Sequence, residues 1–299
     1  MLAAAYLLFA VGTGGSSPPR ECAPLLARSS ANVWERAKVP ALARYCELVA
    51  SAAAKLANPA HIPVDVVAIA TEADATLPGQ AGAQVLLGRA QARLGQYVPA
   101  RDAFEAAKER DPEALQDPVA QLVYARVLSY TGRTDDALAV YRALMPRAAS
   151  LTPADRGVAY VGAGMLAMAL GPKGIEEATA IFRQARKSSQ DAVQRVAALA
   201  LALALDRWGE RGEARVLLAE RAHENAAALL AEPAAIEALG PAADVERTAL
   251  MALALEEVDP VSARSAWGAY LEGPGGNGPW ADHARKHEGG KRGGGGKPR

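Results

Sequence analysis

The chain has 299 residues, of which 51% are hydrophobic and 22% charged, so it is long enough and apolar enough to bury a large core. Its formal net charge is zero, which argues against a nucleic-acid-binding surface, because such surfaces need a clear basic excess. Alanine and leucine dominate the apolar residues, and aromatic residues make up only 5%. Both dominant residues favour helices, so the composition predicts an all-α fold without a sheet.

The first 19 residues (1–19) are predicted to be an export segment. A short apolar run from Leu2 to Val11 precedes a small, proline-bearing stretch, as in a secretory signal peptide, and the run is too short to span a bilayer. No basic residue precedes the run and no clean cleavage site follows it, so a buried first helix is the alternative interpretation. The segment predicts a periplasmic or secreted protein without stable membrane insertion. A cytoplasmic protein is the alternative.

The two cysteines of the chain are Cys22 and Cys46. An even number of cysteines beside an export signal predicts one disulfide bond, which would join the segment before the first helix to the middle of that helix. In the loop-entropy model, such a cross-link stabilises the fold by about 3.5 kcal/mol. Two buried free thiols in a cytoplasmic protein are the alternative.

Internal self-similarity is the strongest signal in the sequence. In the first copy, Gly88, Gly95, Ala100, Phe104 and Pro112 mark the pattern. Corresponding positions in three later copies hold Ala125, Gly132, Ala137 and Tyr141, then Gly164, Ala178 and Phe182, then Gly209 and Ala214. In the third copy Ala178 and Phe182 lie two residues further along the chain than the pattern requires, which predicts a longer turn between the two helices.

Each position of the pattern has a physical reason. Gly88 and Ala100 are expected where two helices cross, because only small side chains fit there. Phe104 fills the space between neighbouring helices. Gly95 begins the turn, where a residue without Cβ adopts positive φ, and Pro112 ends the second helix.

The pattern resembles the tetratricopeptide repeat (TPR) of bacterial exported proteins. The resemblance implies a right-handed α-solenoid of antiparallel helix pairs, with about five to six repeats. Residues 20–80 then form a degenerate repeat, with helices around Trp34–Leu56 and Pro63–Leu77. The predicted domains that follow are four TPR-like repeats at 81–232, a degenerate fifth repeat with a capping helix at 233–288, and a disordered, glycine-rich basic tail at 289–299.

The resemblance also places a partner-binding groove along the first helix of each pair. The groove positions singled out are Arg89, Arg93, Arg126, Tyr130, Met165, Met168 and Leu203. A basic part followed by an apolar part would suit a peptide with an acidic end and an apolar segment, or an amphipathic helix. Solvated arginines and packed methionines are the alternative. The asparagines of chaperone-tail binders are missing, so that specificity is not expected.

No catalytic constellation stands out in the sequence. His283 and His287 are four residues apart on a short predicted helix from Trp280 to about His287, but no third ligand lies nearby in sequence. We therefore expect two solvated histidines, no metal and no cofactor. The sequence predicts a protein-binding adaptor or scaffold that holds an unidentified protein or peptide, and not an enzyme. The alternative is a structural subunit of a larger assembly, and the oligomeric state stays open.

Overall fold

The computed structural model describes residues 20–22, 33–58, 60–188, 190–219 and 226–289. The predicted export segment and nearly all of the predicted tail lie outside these residues. Across the described ranges the fold is all-helical, without strands, as predicted. Contacts divide the chain into two compact units, residues 1–140 and 141–299. This division falls within residues 81–232, which were predicted to form four consecutive repeats.

Within its described residues, the first unit contains a 3-10 turn followed by five helices. These elements are the turn Arg20–Cys22, α1 (Val33–Ala57), α2 (Pro63–Thr76), α3 (Ala81–Arg93), α4 (Tyr97–Arg110) and α5 (Pro118–Tyr130). Each helix packs against the next, and α1, α3 and α5 also contact one another in turn. The odd-numbered helices therefore form one layer, as expected for stacked helix pairs. The following helix, α6 (Thr134–Leu144), crosses the division between the units.

Small residues set the spacing of these helices. A Cβ on Gly88 would lie 2.9 Å from the ring of Phe104, which is fully buried. Gly95 and Gly132 adopt positive φ angles of 73° and 77° after α3 and α5. The roles expected for the helix crossing and for the turns are thus seen at these positions.

The predicted cross-link is confirmed, because the Sγ atoms of Cys22 and Cys46 lie at a bonding distance of 2.06 Å. The neighbouring Glu21 accepts hydrogen bonds from the Tyr45 hydroxyl at 2.7 Å and from the Gly82 N–H at 2.8 Å. Burial and the Glu21 charge raise the pKa of Tyr45 well above its usual range. The disulfide therefore holds a carboxylate over the first turn of α3, where helix N–H groups need acceptors.

The second unit contains nine described helices. They are α7 (Pro153–Ala169), α8 (Ile175–Ala185), α9 (Asp191–Trp208), α10 (Arg211–Leu217), α11 (Ala226–Ala231), α12 (Pro233–Leu239), α13 (Ala243–Leu255), α14 (Pro260–Glu272) and α15 (Ala281–Glu288). The short C-terminal helix predicted from the sequence is confirmed as α15. Of the helices that the structure describes, none combines the length and the apolar character needed to cross a membrane.

Helix α9 lies at the centre of the second unit and contacts α7, α8, α10, α11, α12 and α13. Helix α12 packs against both α7 and α9. The Trp280 indole N–H donates a hydrogen bond of 2.8 Å to the Met168 carbonyl, which lies far back along the chain. In a one-dimensional stack each repeat contacts only its neighbours. The second unit therefore departs from the expected solenoid, because its C-terminal part folds back onto earlier helices.

Candidate functional site

In the first unit, Arg89 and Arg126 occupy equivalent repeat positions on the adjacent helices α3 and α5. Both side chains are partly exposed, whereas the preceding Gly88 and Ala125 are buried. Tyr130, one turn further along α5, is also partly exposed and stacks on Tyr97 with ring centroids 4.1 Å apart. These residues give the first unit a face that is both basic and aromatic.

Arg93 has a structural role that the sequence did not indicate. Its guanidinium donates hydrogen bonds to the Leu56 carbonyl at 3.0 Å and to the His61 carbonyl at 3.2 Å. These carbonyls lie at the end of α1 and in the connection to α2, where acceptors lack partners within the helix. Arg93 thus ties α3 to the end of the preceding helix pair.

The residues expected to form the apolar part of the groove are not exposed to solvent. Met165, Met168 and Leu203 are all fully buried in the second unit. The helices that carry them, α7 and α9, are both packed against α12. The interpretation of these three residues as partner-binding positions is therefore wrong, because the chain's own C-terminal part covers their helices.

A cluster of polar side chains lies elsewhere in the second unit, between the end of α9 and α15. It consists of Asp206, His283 and His287 and is called the His–Asp cluster below. Asp206 lies in the last turn of α9, and Gly209, which follows that helix, has a φ of 96°. The two histidines share one face of α15 because they are four residues apart in a helix.

The donor atoms of the His–Asp cluster converge on one point. Asp206 Oδ2 lies 2.8 Å from His283 Nε2 and 2.9 Å from His287 Nε2. The exposed fractions of the side chains are 5% for Asp206, 12% for His283 and 8% for His287. These three atoms are buried, and one carboxylate oxygen faces both imidazole rings.

A second carboxylate orients His287. Glu256 Oε1 lies 2.5 Å from His287 Nδ1, on the side of the ring away from Asp206, and accepts a hydrogen bond of 2.8 Å from the Trp267 indole N–H. Trp267 is buried, and its ring packs against both histidine rings. With Nδ1 held by Glu256, the Nε2 atom of His287 is the one that faces the cluster.

The protonation of the cluster follows from its burial and its charges. Burial opposes ionisation of Asp206, but its contacts with His283 and His287 outweigh this effect and hold the pKa of Asp206 well below its usual range. Burial lowers the pKa of His283, which Asp206 only partly offsets. Burial also opposes the charged form of His287, yet Asp206 and Glu256 together raise its pKa to about 9. The protonated form of His287, which this pKa favours at neutral pH, therefore lies between the carboxylates of Asp206 and Glu256.

Next to the cluster, Arg207 and Glu246 form a buried ion pair. Arg207 Nη2 donates to Glu246 Oε2 at 2.7 Å and to the Tyr270 hydroxyl at 3.3 Å. The guanidinium also lies over the Trp280 ring, 4.9 Å from its centroid. These contacts fix the end of α9 against α13, α14 and the start of α15, and so hold Asp206 in position.

A cleft of about 390 Å³ opens beside the cluster. Its lining includes Asp206, His287, Glu256 and Trp267, together with the cationic residues Arg211, Arg215, Arg264 and Lys286. Arg211 Nε lies 3.4 Å from Asp206 Oδ1, the carboxylate oxygen that faces away from the histidine contacts. The lining also includes Glu257, 3.5 Å from Arg215, so one side of the cluster borders a cleft with both basic and acidic residues.

The expectation of two solvated histidines is wrong, since only 12% of the His283 side chain and 8% of the His287 side chain are exposed. Their spacing was a visible signal, but Asp206 is far from them in sequence and resembles any acidic residue near a helix end. Only the return of the C-terminal segment onto α9 brings the three residues together.

No model of a protein family matches the sequence. Among curated proteins, none matches it significantly.

Proposed function

We propose that the protein is a protein-binding scaffold, with TPR-like helix pairs in its first unit, that recognises an acidic segment of a partner protein. The observation that carries the proposal is the placement of Arg89 and Arg126 at equivalent, partly exposed positions on adjacent helices. Repetition of a guanidinium at successive repeats suits an extended acidic segment, because each arginine can bind one carboxylate through paired hydrogen bonds.

The aromatic pair extends this face. Tyr130 and Tyr97 stack in parallel, with an interplanar angle of 3°. Tyrosine combines apolar contact area with a polar tip at a low cost in conformational entropy, and it is enriched at protein interfaces. The segment bound by the two arginines would therefore include apolar side chains that pack against these rings.

We place this scaffold in the periplasm or outside the cell. The pairing of Cys22 with Cys46 at bonding distance is compatible with an oxidising compartment, where disulfides persist. The export segment expected at 1–19 agrees with this location. The proposal includes no catalytic activity.

The experiment tests the arginine pair by charge reversal in the full-length exported protein. We expect Arg89→Glu combined with Arg126→Glu to weaken binding of the captured partner at least tenfold, because two attractive contacts become repulsive. Partners are captured from an envelope extract of the source cells, and the affinity for the purified partner is then measured at two salt concentrations. Arg93 is left unchanged, since it holds the end of α1.

The matched control reverses Arg101 and Arg133, which pair with Asp102 and Asp136 elsewhere in the first unit. Equal loss in both double variants would show that the site is not at Arg89 and Arg126. A partner retained by the Arg89/Arg126 variant would also overturn the assignment. Capture of only the protein itself, with a molecular mass that rises with concentration, would favour the assembly subunit instead.

A further inference from the structure

We propose that the His–Asp cluster of Asp206, His283 and His287 binds one divalent transition-metal ion, for which Zn²⁺ fits best. This site lies in the second unit and is independent of the partner-binding face proposed for the first. It supplies three protein ligands, two imidazole nitrogens and one carboxylate oxygen, from α9 and α15.

The three potential ligand atoms converge on one point. One donor atom from each of the three side chains lies within 4.8 Å of the others. In a tetrahedral zinc site, with ligand distances of about 2.0–2.2 Å, neighbouring donor atoms lie roughly 3.3 Å apart. The observed separations of 2.8 and 2.9 Å are slightly shorter, so a small outward rotation of the side chains would admit the ion.

The cluster is buried, unlike an ordinary surface ion pair. Asp206 and His287 are each more than nine-tenths buried, and their facing atoms, Oδ2 and Nε2, lie 2.9 Å apart. The same carboxylate oxygen also lies 2.8 Å from His283 Nε2, so one oxygen serves both imidazole rings. A cation at the point of convergence would bind the lone pairs of all three atoms at once.

The surroundings of His287 resemble those of a metal ligand. Metal-bound histidines usually place the second ring nitrogen against a carboxylate, which fixes the ring and the tautomer. Glu256 makes this contact at 2.5 Å, and Trp267 in turn holds the same oxygen of Glu256 at 2.8 Å. Glu256 is thus a positioning residue that leaves Nε2 of His287 for the metal.

The ligand types define the class of metal. Imidazole nitrogen favours Zn²⁺ and its transition-metal neighbours, whereas Mg²⁺ and Ca²⁺ prefer sites built from oxygen. Three protein ligands leave at least one coordination position open, and the cleft lined by Asp206 and His287 reaches the cluster. Water, or an anion drawn by Arg264 and Lys286 in that lining, would complete the coordination.

The test uses tag-free, full-length exported protein with its disulfide intact, stripped of metal by a chelator. Zn²⁺ and Co²⁺ are titrated by calorimetry, and Co²⁺ also by its visible absorption, with Mg²⁺ and Ca²⁺ for comparison. We expect one Zn²⁺ or Co²⁺ per chain and no comparable binding of Mg²⁺ or Ca²⁺. The ligand variants Asp206→Asn, His283→Gln and His287→Gln should each weaken binding by more than about 100-fold. Glu256→Gln should weaken it by about 10–100-fold, as for other positioning residues.

His61→Gln is the matched control. His61 Nε2 lies 3.2 Å from Asp65 Oδ2 in the first unit, so it shares a histidine–carboxylate contact but lacks a second histidine. Its metal affinity should equal that of the wild type. Because a ligand variant can fail to fold, imidazole nitrogen NMR spectra of the wild type provide a second readout. Zn²⁺ should shift the resonances of His283 and His287 and leave that of His61 unchanged.

Four results would overturn the proposal. They are no binding of Zn²⁺ or Co²⁺ by the folded wild type, full affinity in all three ligand variants, loss of binding in His61→Gln, and unshifted resonances of both cluster histidines. Any of these would leave the cluster as an ion-paired anchor that holds α15 against α9.

Discussion

Close contacts between glycines and aromatic rings determine how tightly individual helices pack. A Cβ on Gly164 of α7 would lie 2.5 Å from the ring of Phe182 on α8, and Phe182 is fully buried. We expect Gly164→Ala to lower the free energy of unfolding by about 1–3 kcal/mol, because the ring has no free space to move into. Denaturant unfolding followed by circular dichroism measures the change.

The control for this prediction is Gly212→Ala. Gly212 is an exposed residue in α10, and a Cβ there would meet nothing within 4 Å. This substitution should leave stability unchanged or raise it by up to about 1 kcal/mol, since alanine has the higher helix propensity. Equal effects at the two glycines would contradict the packing argument.

At the same scale, the sequence predicted local roles better than long-range contacts. Gly164 and Phe182 were identified from their spacing, because both belong to one helix pair. Asp206 was not identified as a partner of His283, because the order of residues along the chain does not show which distant segments meet. Packing of Met165 in the core was an alternative that the sequence left open, and its full burial supports that alternative.

Among the secondary-structure elements, the 3-10 turn at Arg20–Cys22 is held to α1 by its disulfide. The sequence separation of Cys22 and Cys46 is 24 residues, for which the loop-entropy model gives about 3.5 kcal/mol. We expect Cys22→Ser combined with Cys46→Ser to lower the free energy of unfolding of the first unit by about this amount. Chemical denaturation of the variant and of the wild type, with and without reductant, measures it.

Part of that loss should come from Glu21, which the turn holds against the Gly82 N–H at the start of α3. Glu21→Gln with the disulfide intact should cost about 1 kcal/mol, the usual effect of weakening a helix cap. Glu47→Gln on the exposed side of α1 should cost almost nothing, because its contact with Arg44 is solvent-exposed. A disulfide variant as stable as the wild type would show that the turn does not stabilise this unit.

The helices themselves were largely predictable from sequence. The structure contains the helix expected around Trp34–Leu56 as α1 (Val33–Ala57) and the helix expected around Pro63–Leu77 as α2 (Pro63–Thr76). It also contains the predicted C-terminal helix as α15. Helix propensity, prolines and glycines are local signals, so they locate helix ends well. The caps contributed by distant residues, such as Glu21 on α3, give no local signal.

For the molecule as a whole, the sequence indicated tandem repeats on both sides of residue 140, where contacts divide the chain. The repeat pattern continues through this point, because it records only local helix pairing. The pattern does not show whether later helices extend the row of helix pairs or pack back against earlier helices. In the second unit the later helices pack back against earlier ones, so that α12 and α13 both contact the central helix α9.

The division predicts that a local change in stability stays within the unit in which it is made. Hydrogen exchange measured by mass spectrometry tests this in the intact protein, because exchange reports local opening free energies. Reduction of the Cys22–Cys46 disulfide should increase exchange in α1 to α5 and leave α7 to α9 unchanged. Gly164→Ala should increase exchange in α7 to α9 and leave exchange in α1 to α5 unchanged. If either change raised exchange equally in both units, the chain would unfold as one cooperative body, and the packing of α9 would be coupled to the disulfide.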